Sequence, residues 1–221
     1  MAIARVDSLV RALLAETHAD SYRGWIGGKE NFRKTIDPNY KANRTQEPPV
    51  HLQACREYLV SQWSFGVTDG IETDDELGIH QVKDFWDAND PREETTIVSL
   101  DKDLLQIPGK HYRWEISGNV KGKLWVKPAE WLNVSYFDGL LSFYTSSLVG
   151  DVSDNIKGVD GIGPVKAKAA LEGLGLQTEK YLFDTCRSMY MDDTRYFRNL
   201  SLLWILREYE KPFCAEERGL I

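Results

Sequence analysis

The sequence predicts an α/β fold that is followed by a helical C-terminal region. Three observations support this: apolar residues at helical spacing open the chain, a compact β-branched run stands at Thr95–Leu100, and helical patterns fill the sequence after Pro128. The chain has 221 residues, of which 42% are hydrophobic and 28% charged. It is therefore long enough for one sizeable core, and a mostly disordered or fibrous protein is excluded.

The N-terminal elements follow from periodicity and from glycine and proline positions. Apolar residues at helical spacing predict a helix over Ala4–Glu16, and Ser21–Gly28 has the pattern of a strand that enters a glycine turn. The polar, basic segment 31–49 is bounded by prolines and is expected to be exposed and mobile. The elements expected next are a helix over Val50–Trp63, a short extended segment at Phe65–Val67 and a helix from about Asp74 to Trp86.

The second half begins with Thr95–Leu100, which has the pattern of a buried strand. Alternating apolar and polar residues over His111–Lys127 suggest a pair of strands around Gly118 and Gly122. From Pro128 onward we expect only helices, including two packing helices between Thr178 and Glu210. The sequence thus predicts an α/β core over residues 1–127 and a helical region over residues 128–221.

The charge is unevenly distributed. A formal net charge of −7 argues against a nucleic-acid partner, since phosphate binding uses Lys and Arg. However, Lys29–Arg44 is basic and Asp69–Asp103 is densely acidic. This separation suits an enzyme that holds cations in one place and phosphates in another, although solvated surface charge is the simpler alternative.

No targeting or membrane segment is recognisable. No apolar run approaches the roughly 20 residues of a membrane span, and the first residues do not resemble a signal peptide. Cys55, Cys186 and Cys214 are widely spaced, which indicates neither a disulfide framework nor a zinc site. We therefore expect a cytoplasmic protein without a membrane partner, most simply a monomer.

The first acidic cluster comprises Glu72, Asp74 and Asp75. Thr73 and Glu76 have the spacing of a helix capping box, and acidic residues in a first turn complement the helix dipole, so a structural role is one interpretation. A cap does not require Glu72, and neighbouring carboxylates repel one another unless a cation lies between them. A metal site is the other interpretation.

The second acidic cluster, Asp101 and Asp103, directly follows the predicted buried strand. Ligands of open α/β sheets bind at the carboxyl ends of strands, so both aspartates are well placed for function. They could instead form a turn and cap a short helix near Leu104. Carboxylates without His or Cys suit a hard divalent ion such as Mg²⁺.

The third cluster, Asp151 and Asp154, runs into a glycine-rich stretch and a proline that suits the first turn of a helix. Glycines permit a tight hairpin with exposed backbone amides, which can hold a phosphate oxygen without reading base sequence. The residues of this predicted phosphate clamp are Gly158, Gly161, Gly163, Lys166 and Lys168.

Five runs, taken in chain order, carry a family resemblance: Phe32-Arg33, Pro38–Arg44 (PNYKANR), Glu72–Asp75 (ETDD), Asp101–Gln106 (DKDLLQ) and Gly150–Gly163 (GDVSDNIKGVDGIG). Together they resemble the 5′-3′ exonuclease and flap endonuclease family, above all phage 5′-nucleases and the nuclease domain of bacterial DNA polymerase I. The resemblance covers about Asp20 to Gly175.

The resemblance implies a parallel-sheet 5′-nuclease core of the PIN-like type with a basic arch over 31–49, and a C-terminal helical region with a helix-hairpin-helix at 154–174. It implies hydrolysis of phosphodiester bonds near DNA 5′ ends, flaps or branches with two Mg²⁺ or Mn²⁺ ions, and K⁺ at the helix-hairpin-helix; RNA–DNA is a further substrate to consider. The implied metal ligands are Glu72, Asp74, Asp75, Asp101, Asp103, Asp151 and Asp154, and the implied catalytic cations are Lys41 and Arg44. The implied DNA contacts are Arg33, Tyr40, Lys157, Gly158, Val159, Gly161, Ile162, Gly163, Lys166 and Lys168.

The sequence also departs from the family pattern. Family members begin with a central strand that carries an aspartate, in a run such as LIDGD, and no such run precedes Met1. Trp25–Lys29, where a second family aspartate often lies, has no carboxylate. We expect that the sequence is a fragment or begins at a late gene start. The alternatives are that another polypeptide supplies the strand or that the protein folds without it. Two other functions remain open: a catalytically impaired, structure-selective DNA-binding module, and an RNA-cleaving nuclease.

Overall fold

A computed structural model of the chain describes residues 1–87, 95–172 and 178–221, with the side chains of 84–87 left out. The predicted helices and the β-branched strand of the first half are present, each within a few residues of its expected bounds. The elements up to the short 3₁₀ helix Asp103–Gln106 are α1 Ala2–Thr17, β1 Trp25–Ile26, α2 Arg33–Ile36, α3 Leu52–Trp63, β2 Gly66–Val67, α4 Thr73–Asp87 and β3 Thr96–Val98.

The second half begins with four strands and continues with helices. Two packing helices near the C-terminus are present as expected. The elements are β4 Gly109–Arg113, β5 Ile116–Val120, β6 Lys123–Lys127, β7 Glu130–Val134, α5 Tyr136–Val149, β8 Gly150–Asp151, β9 Ile156–Lys157, α6 Pro164–Glu172, α7 Glu179–Met189 and α8 Asp193–Leu203.

Among the described strands, two pairs are parallel, and the predicted strand pair β5–β6 is antiparallel. β1 pairs with β2, with Trp25 opposite Gly66, and β3 pairs with β4, with Ile97 opposite His111. Helix α4 packs against β1, β3 and β4, so it bridges the two sheets. Parallel pairing beneath a helix confirms the predicted α/β class.

The expectation of an entirely helical chain after Pro128 was wrong. β7 runs antiparallel to β4, with Leu132 opposite His111, and forms one edge of the β3-β4-β7 sheet. Burial alternates along β7, as it does in a strand with one covered face. Five residues are too few for that alternation to stand out in sequence. The start of the expected helical region therefore lies in the sheet of the core.

The main hydrophobic core surrounds α5. Phe143, Tyr144 and Leu148 of this helix are fully buried, and they belong to one cluster with Leu182 of α7 and Leu200 of α8. Each such side chain contributes about 1.5–3 kcal/mol by burial. By contrast, α1 and α3 pack against each other and have no buried residue. The helical region is thus the best-packed part that the structure describes.

Local signals set the beginnings of the C-terminal helices. At α5, Ser135 Oγ accepts the Asp138 N–H and the Asp138 carboxylate accepts the Ser135 N–H, which is a complete capping box. Thr178 and Asp192 cap α7 and α8 through their side-chain oxygens. Among the described helices none is long and apolar enough to cross a membrane.

Candidate metal centre and DNA-binding hairpin

The first acidic cluster lies at the beginning of α4, the helix that follows β2. Helix α4 begins at Thr73, so Glu72 immediately precedes it. The backbone N–H of Glu72 donates to Asp75 Oδ2 at 2.9 Å. Asp75, rather than Glu76, thus occupies the reciprocal position of a capping box, one residue earlier than the sequence suggested.

Asp75 is fully buried and holds Arg33, which is 2% exposed. The Arg33 guanidinium donates from Nη1 to Asp75 Oδ2 at 2.6 Å and from Nη2 to Oδ1 at 2.8 Å. The Leu206 N–H donates to the same carboxylate at 2.9 Å. Its oxygens are therefore occupied by protein donors. The expectations that Asp75 binds metal and that Arg33 meets DNA do not fit this burial, because neither side chain faces solvent.

The second cluster follows β3 and forms the turn that the sequence suggested. Ser99 Oγ accepts the Asp101 N–H at 3.1 Å, and Asp101 Oδ1 accepts the Asp103 N–H at 2.9 Å. These bonds shape the turn from which the 3₁₀ helix Asp103–Gln106 begins. Asp101 is exposed and Asp103 is half-buried, so their carboxylates remain accessible.

The third cluster lies on the short β8–β9 turn. The N–H groups of Ser153 and Asp154 donate to Asp151 Oδ1 at 2.6 and 3.3 Å. Burial acts to raise the pKa of Asp151, but the hydrogen bonds from Ser153 and Asp154 outweigh it and lower the pKa. Asp151 is therefore held as an anion that faces the second cluster.

Carboxylates of different clusters lie near enough to raise one another's pKa. Burial, together with the charges of Asp101 and Glu72, raises the pKa of Asp74 to about 7. Burial and the charge of Asp101, with a further contribution from Asp151, raise the pKa of Asp103 to about 6. Carboxylates from three separate segments thus share one electrostatic environment, which costs free energy unless cations offset it.

Lys41 and Arg44 supply cations on one side of this centre. The Lys41 ammonium contacts Glu72 and lies 3.5 Å from Asp154 Oδ2, and Arg44 Nη2 donates to Asp154 Oδ1 at 2.6 Å. The Tyr40 hydroxyl lies 2.9 Å from carboxylate oxygens of both Glu72 and Asp154. Burial and the charge of Glu72 raise the Tyr40 pKa, so its hydroxyl remains protonated.

The basic segment 31–49 is not an exposed arch throughout. The Lys41 N–H donates to the Asp154 carbonyl at 3.0 Å, and Asn43 Nδ2 donates to the Val152 carbonyl at 2.6 Å. Asn155 Nδ2 in turn donates to the Asn39 carbonyl at 2.9 Å. Tyr40 is 4% exposed, so the expectation that it contacts DNA does not fit its position. The sequence contained no signal for the roles of Asn43 and Asn155, because polar loop residues are common.

A divalent ion suits the donors in this centre. Carboxylate oxygens are the ligands that Mg²⁺ and Mn²⁺ accept, and Mg²⁺ is commonly held by one or two carboxylates with several waters. In residues 1–87, 95–172 and 178–221 no three acidic, histidine or cysteine side chains converge closely enough to form a complete ion site by themselves. The pairs Asp74 with Asp101 and Asp103 with Asp151 are the best candidates, because the two carboxylates of each pair act on each other's charge. Lys41 and Lys102 offset only part of this repulsion, since the pKa values of Asp74 and Asp103 remain raised.

The glycine hairpin connects β9 to α6. A side chain on Gly158 would collide with the Leu148 carbonyl oxygen, and the Val159 N–H donates to that same oxygen at 2.7 Å. Gly158 therefore serves close packing and Val159 has no amide to offer a phosphate, which corrects their expected roles. Val159 and Ile162 also pack partly against the core. Gly161 has φ +75° in open space, and nothing lies within 4 Å of where Gly163 would carry a side chain.

The hairpin lysines point outward from the helical region. Lys166 Nζ donates to the Gly161 carbonyl at 2.9 Å, which places its charge at the hairpin tip. Lys168 and Lys157 are exposed and pair with Glu172 and Asp160. Within the predicted helix-hairpin-helix at 154–174 the structure describes β9, the glycine turn and α6, and the helix that precedes them, α5, already ends at Val149. Residues 173 and 174 lie outside the described residues.

The fold defines an α/β protein with three groups of carboxylates near one another, and comparisons with known proteins show what it is similar to. No protein-family model matches the chain. It is 30% identical over 148 residues to the 5′-3′ exonuclease of Buchnera aphidicola subsp. Schizaphis graminum, which is 61% of this chain and 46% of that protein. The T5 D15 protein co-crystallised with metal ions gives a TM-score of 0.59 at 19% identity, with 91% of this chain and 82% of that chain covered.

A second solved structure, the bacteriophage T5 D15 flap endonuclease with DNA and metal ions, gives a TM-score of 0.54 at 19% identity and covers 91% of this chain and 80% of that one. The chain therefore resembles 5′-3′ exonucleases and flap endonucleases in sequence, and it has their fold. It spans only 14% to 55% of the length of the first curated relatives that it matches.

Proposed function

We propose that this chain is part of a divalent-metal-dependent 5′-nuclease that hydrolyses phosphodiester bonds near 5′ ends, flaps or branches of DNA. The observation that carries the proposal is the convergence of acidic residues from three segments beneath two cations, Lys41 and Arg44. Such a centre separates positions for metal from positions for phosphate. The similarity to a 5′-3′ exonuclease supports the same class of reaction.

The chain's own residues divide the work. Asp74, Asp101, Asp103 and Asp151 would hold Mg²⁺ or Mn²⁺, two ions if both pairs are used, and bound ions would activate water and stabilise the charge that develops on the phosphate. Lys41 and Arg44 already contact carboxylates at the rim of the centre. They would exchange these contacts for the scissile phosphate when DNA arrives.

In the absence of DNA, Glu72 and Asp154 are the ion-pair partners of Lys41 and Arg44. The Tyr40 hydroxyl bridges these carboxylates and fixes their orientation. The tip of the glycine hairpin, from Gly161 to Lys166, would grip the sugar-phosphate backbone without reading sequence. K⁺ at this hairpin, an RNA–DNA substrate, a monomeric state and a cytoplasmic location are finer parts of the same proposal.

A cleavage assay tests the reaction. A 5′-flap DNA labelled at the flap is incubated with the chain and Mg²⁺ or Mn²⁺, with EDTA as the control. Metal-dependent release of short 5′ products supports the proposal. Because the chain spans only part of its relatives, the assay is repeated with any coding sequence upstream of Met1 restored. Absence of cleavage in both forms would contradict nuclease activity.

One observation favours a second candidate, a DNA-binding module without catalysis. In the described ranges no complete three-residue metal site is formed, and Glu72 and Asp154 are engaged by Lys41 and Arg44. Such a module would bind branched DNA in a salt-dependent way and leave it intact. An electrophoretic mobility shift without product formation, at metal concentrations that saturate a control nuclease, distinguishes the two candidates.

A further inference from the structure

The segment after α8 folds back and forms a small, half-open pocket that the proposed nuclease function does not use. Its cavity volume is about 140 Å³, and its charged lining residues are Arg207, Glu208, Lys211, Glu217 and Arg218, beside Trp204 and Phe213. This volume corresponds to about four or five water molecules, close to the size of one five-atom phosphate group. The pocket thus has room for a small ion.

Arg207 is the exceptional residue of this pocket. It is largely buried, and it donates from Nη2 to the Gln106 carbonyl at 2.9 Å while its Nε has no hydrogen-bond partner. No salt bridge to Arg207 is formed within the described part of the chain. Burial, together with the nearby charge of Arg218, lowers the pKa of Arg207 to about 10. A buried cation in this state costs free energy that an anion would recover.

The other charges at the pocket are already arranged in pairs. Arg218 donates to Glu179 at 2.6 and 2.7 Å, and Lys211 pairs with Glu208 at 2.6 Å. Glu217 is the second carboxylate at the rim. Arg207 and Arg218 lie over the Trp204 ring at 4.3 and 4.7 Å from its centroid. Trp204 is therefore held beside two guanidinium groups, of which only that of Arg218 has a carboxylate partner.

We propose that this pocket is a binding site for a single phosphate group, held by the guanidinium group of Arg207, with the ammonium group of Lys211 exchanging its contact with Glu208 for the phosphate. Arginine suits the role because its planar fork can present two donors to phosphate oxygens. The source of the group is either inorganic phosphate or the backbone of bound DNA. Both present the same charged oxygens, so the pocket chemistry alone does not separate them.

The site adjoins the nuclease centre through two hydrogen bonds. The Trp204 carbonyl accepts from Arg33, the residue that holds Asp75. The Gln106 carbonyl, which accepts from Arg207, lies at the end of the 3₁₀ helix that begins at Asp103. A phosphate that orders Arg207 and Trp204 would therefore stabilise the backbone beneath the first two acidic clusters.

The test is a titration of the full chain with inorganic phosphate in EDTA, followed by isothermal calorimetry and by thermal unfolding. EDTA chelates divalent ions, so phosphate cannot bind through a metal ion and the nuclease reaction does not occur. Arg207→Met should weaken phosphate binding about 10- to 100-fold, as expected for loss of charge-assisted hydrogen bonds. Arg187→Met is the matched control, because Arg187 pairs with Asp193 on an exposed surface of α7 and α8.

Further variants keep the test decisive. If Arg207→Met does not fold, Arg207→Lys retains the charge but loses the fork and should still weaken binding. Flap DNA binding, measured in EDTA, then identifies the source: a parallel loss of DNA affinity in the Arg207 variants indicates backbone phosphate, and unchanged DNA affinity indicates free phosphate. No phosphate binding, or equal binding by the Arg207 variants and the control, would overturn the proposal.

Discussion

Arg33 and Asp75 form a buried, two-point ion pair that joins the basic segment to the first turn of α4. Arg33 also donates to the Leu202 and Trp204 carbonyls, and Asp75 accepts from the Leu206 N–H. The pair thus connects the sheet region to the end of the helical region. Asp75, expected to bind metal, and Arg33, expected to contact DNA, instead stabilise the packing around the acidic centre.

Asp75→Asn should destabilise the fold because Asp75 is the ion-pair partner of Arg33. We do not expect a change in metal binding. Loss of one partner leaves the Arg33 charge buried and uncompensated, which costs about 3–5 kcal/mol. The free energy of unfolding is measured in urea with EDTA present. Asp74→Asn is the control: it removes a carboxylate whose pKa is raised by burial and by Asp101, so at pH 8 it should stabilise by about 1 kcal/mol or more. Equal destabilisation by both variants would contradict these separate roles.

Mg²⁺ or Mn²⁺ should raise the melting temperature of the chain. An ion at about 100 times its dissociation constant adds about 2.7 kcal/mol of stability, because it binds the folded state and relieves carboxylate repulsion. Asp101→Asn should remove most of this shift, whereas Glu115→Gln, at an exposed position outside the acidic centre, should preserve it. Differential scanning fluorimetry with and without EDTA provides the measurement. A full metal shift in Asp101→Asn would exclude Asp101 as a ligand.

Lys41→Met should slow cleavage of flap DNA by about 10²–10³-fold, the usual cost of losing one charged group at a developing transition-state charge. The rate is measured in single turnover with saturating metal. Lys34→Met serves as the comparison, since Lys34 is exposed in the same segment and makes no side-chain contact with the centre. Similar rates for the two variants would mean that Lys41 serves only to neutralise Glu72 and Asp154.

The double variant Lys166→Ala and Lys168→Ala should weaken binding to duplex DNA and reduce its salt dependence. Each lost phosphate contact lowers the slope of log K against log salt by about 1, so the expected change is about 2. Fluorescence anisotropy in EDTA at several salt concentrations measures this slope. Lys180→Ala is suited as the control, because Lys180 lies on α7 and pairs with Asp184. An unchanged slope in the hairpin variant would place DNA elsewhere.

His111 should make the fold less stable in mild acid. Burial lowers its pKa from the usual 6.5, and its ring Nε2 lies 2.8 Å from the Ile107 carbonyl oxygen. Because the folded state prefers the neutral ring, stability is fully present above about pH 6.5 and falls as the pH drops toward the lowered pKa. His111→Gln should remove this component, with a slope difference of up to about 1.4 kcal/mol per pH unit. Parallel slopes between pH 5 and 7 for the two proteins would contradict it.

Much of the acidic centre could be predicted from the sequence, because its turns and acidic runs are formed by residues close together in the chain. The DKDLLQ run at 101–106 follows a β-branched strand, and the turn that it predicts is present in the structure. Its role as a metal site stays a prediction. Residues 150–163 combine a carboxylate turn with a glycine hairpin, as expected. β7 escaped prediction because five residues with partial alternation are indistinguishable from the start of a helix.

By itself, the sequence determined the α/β class, the order of the three acidic clusters and the resemblance to 5′-nucleases. Only the tertiary structure decided which carboxylates face the centre. Asp75 accepts hydrogen bonds from Arg33, 42 residues away, and Asp154 accepts one from Arg44, 110 residues away. It also decided that Asn39–Arg44 docks on the β8–β9 turn. The physical reason is that periodicity and turn chemistry report on neighbours within a few residues, whereas charge pairing across the chain depends on how the helices and sheets pack.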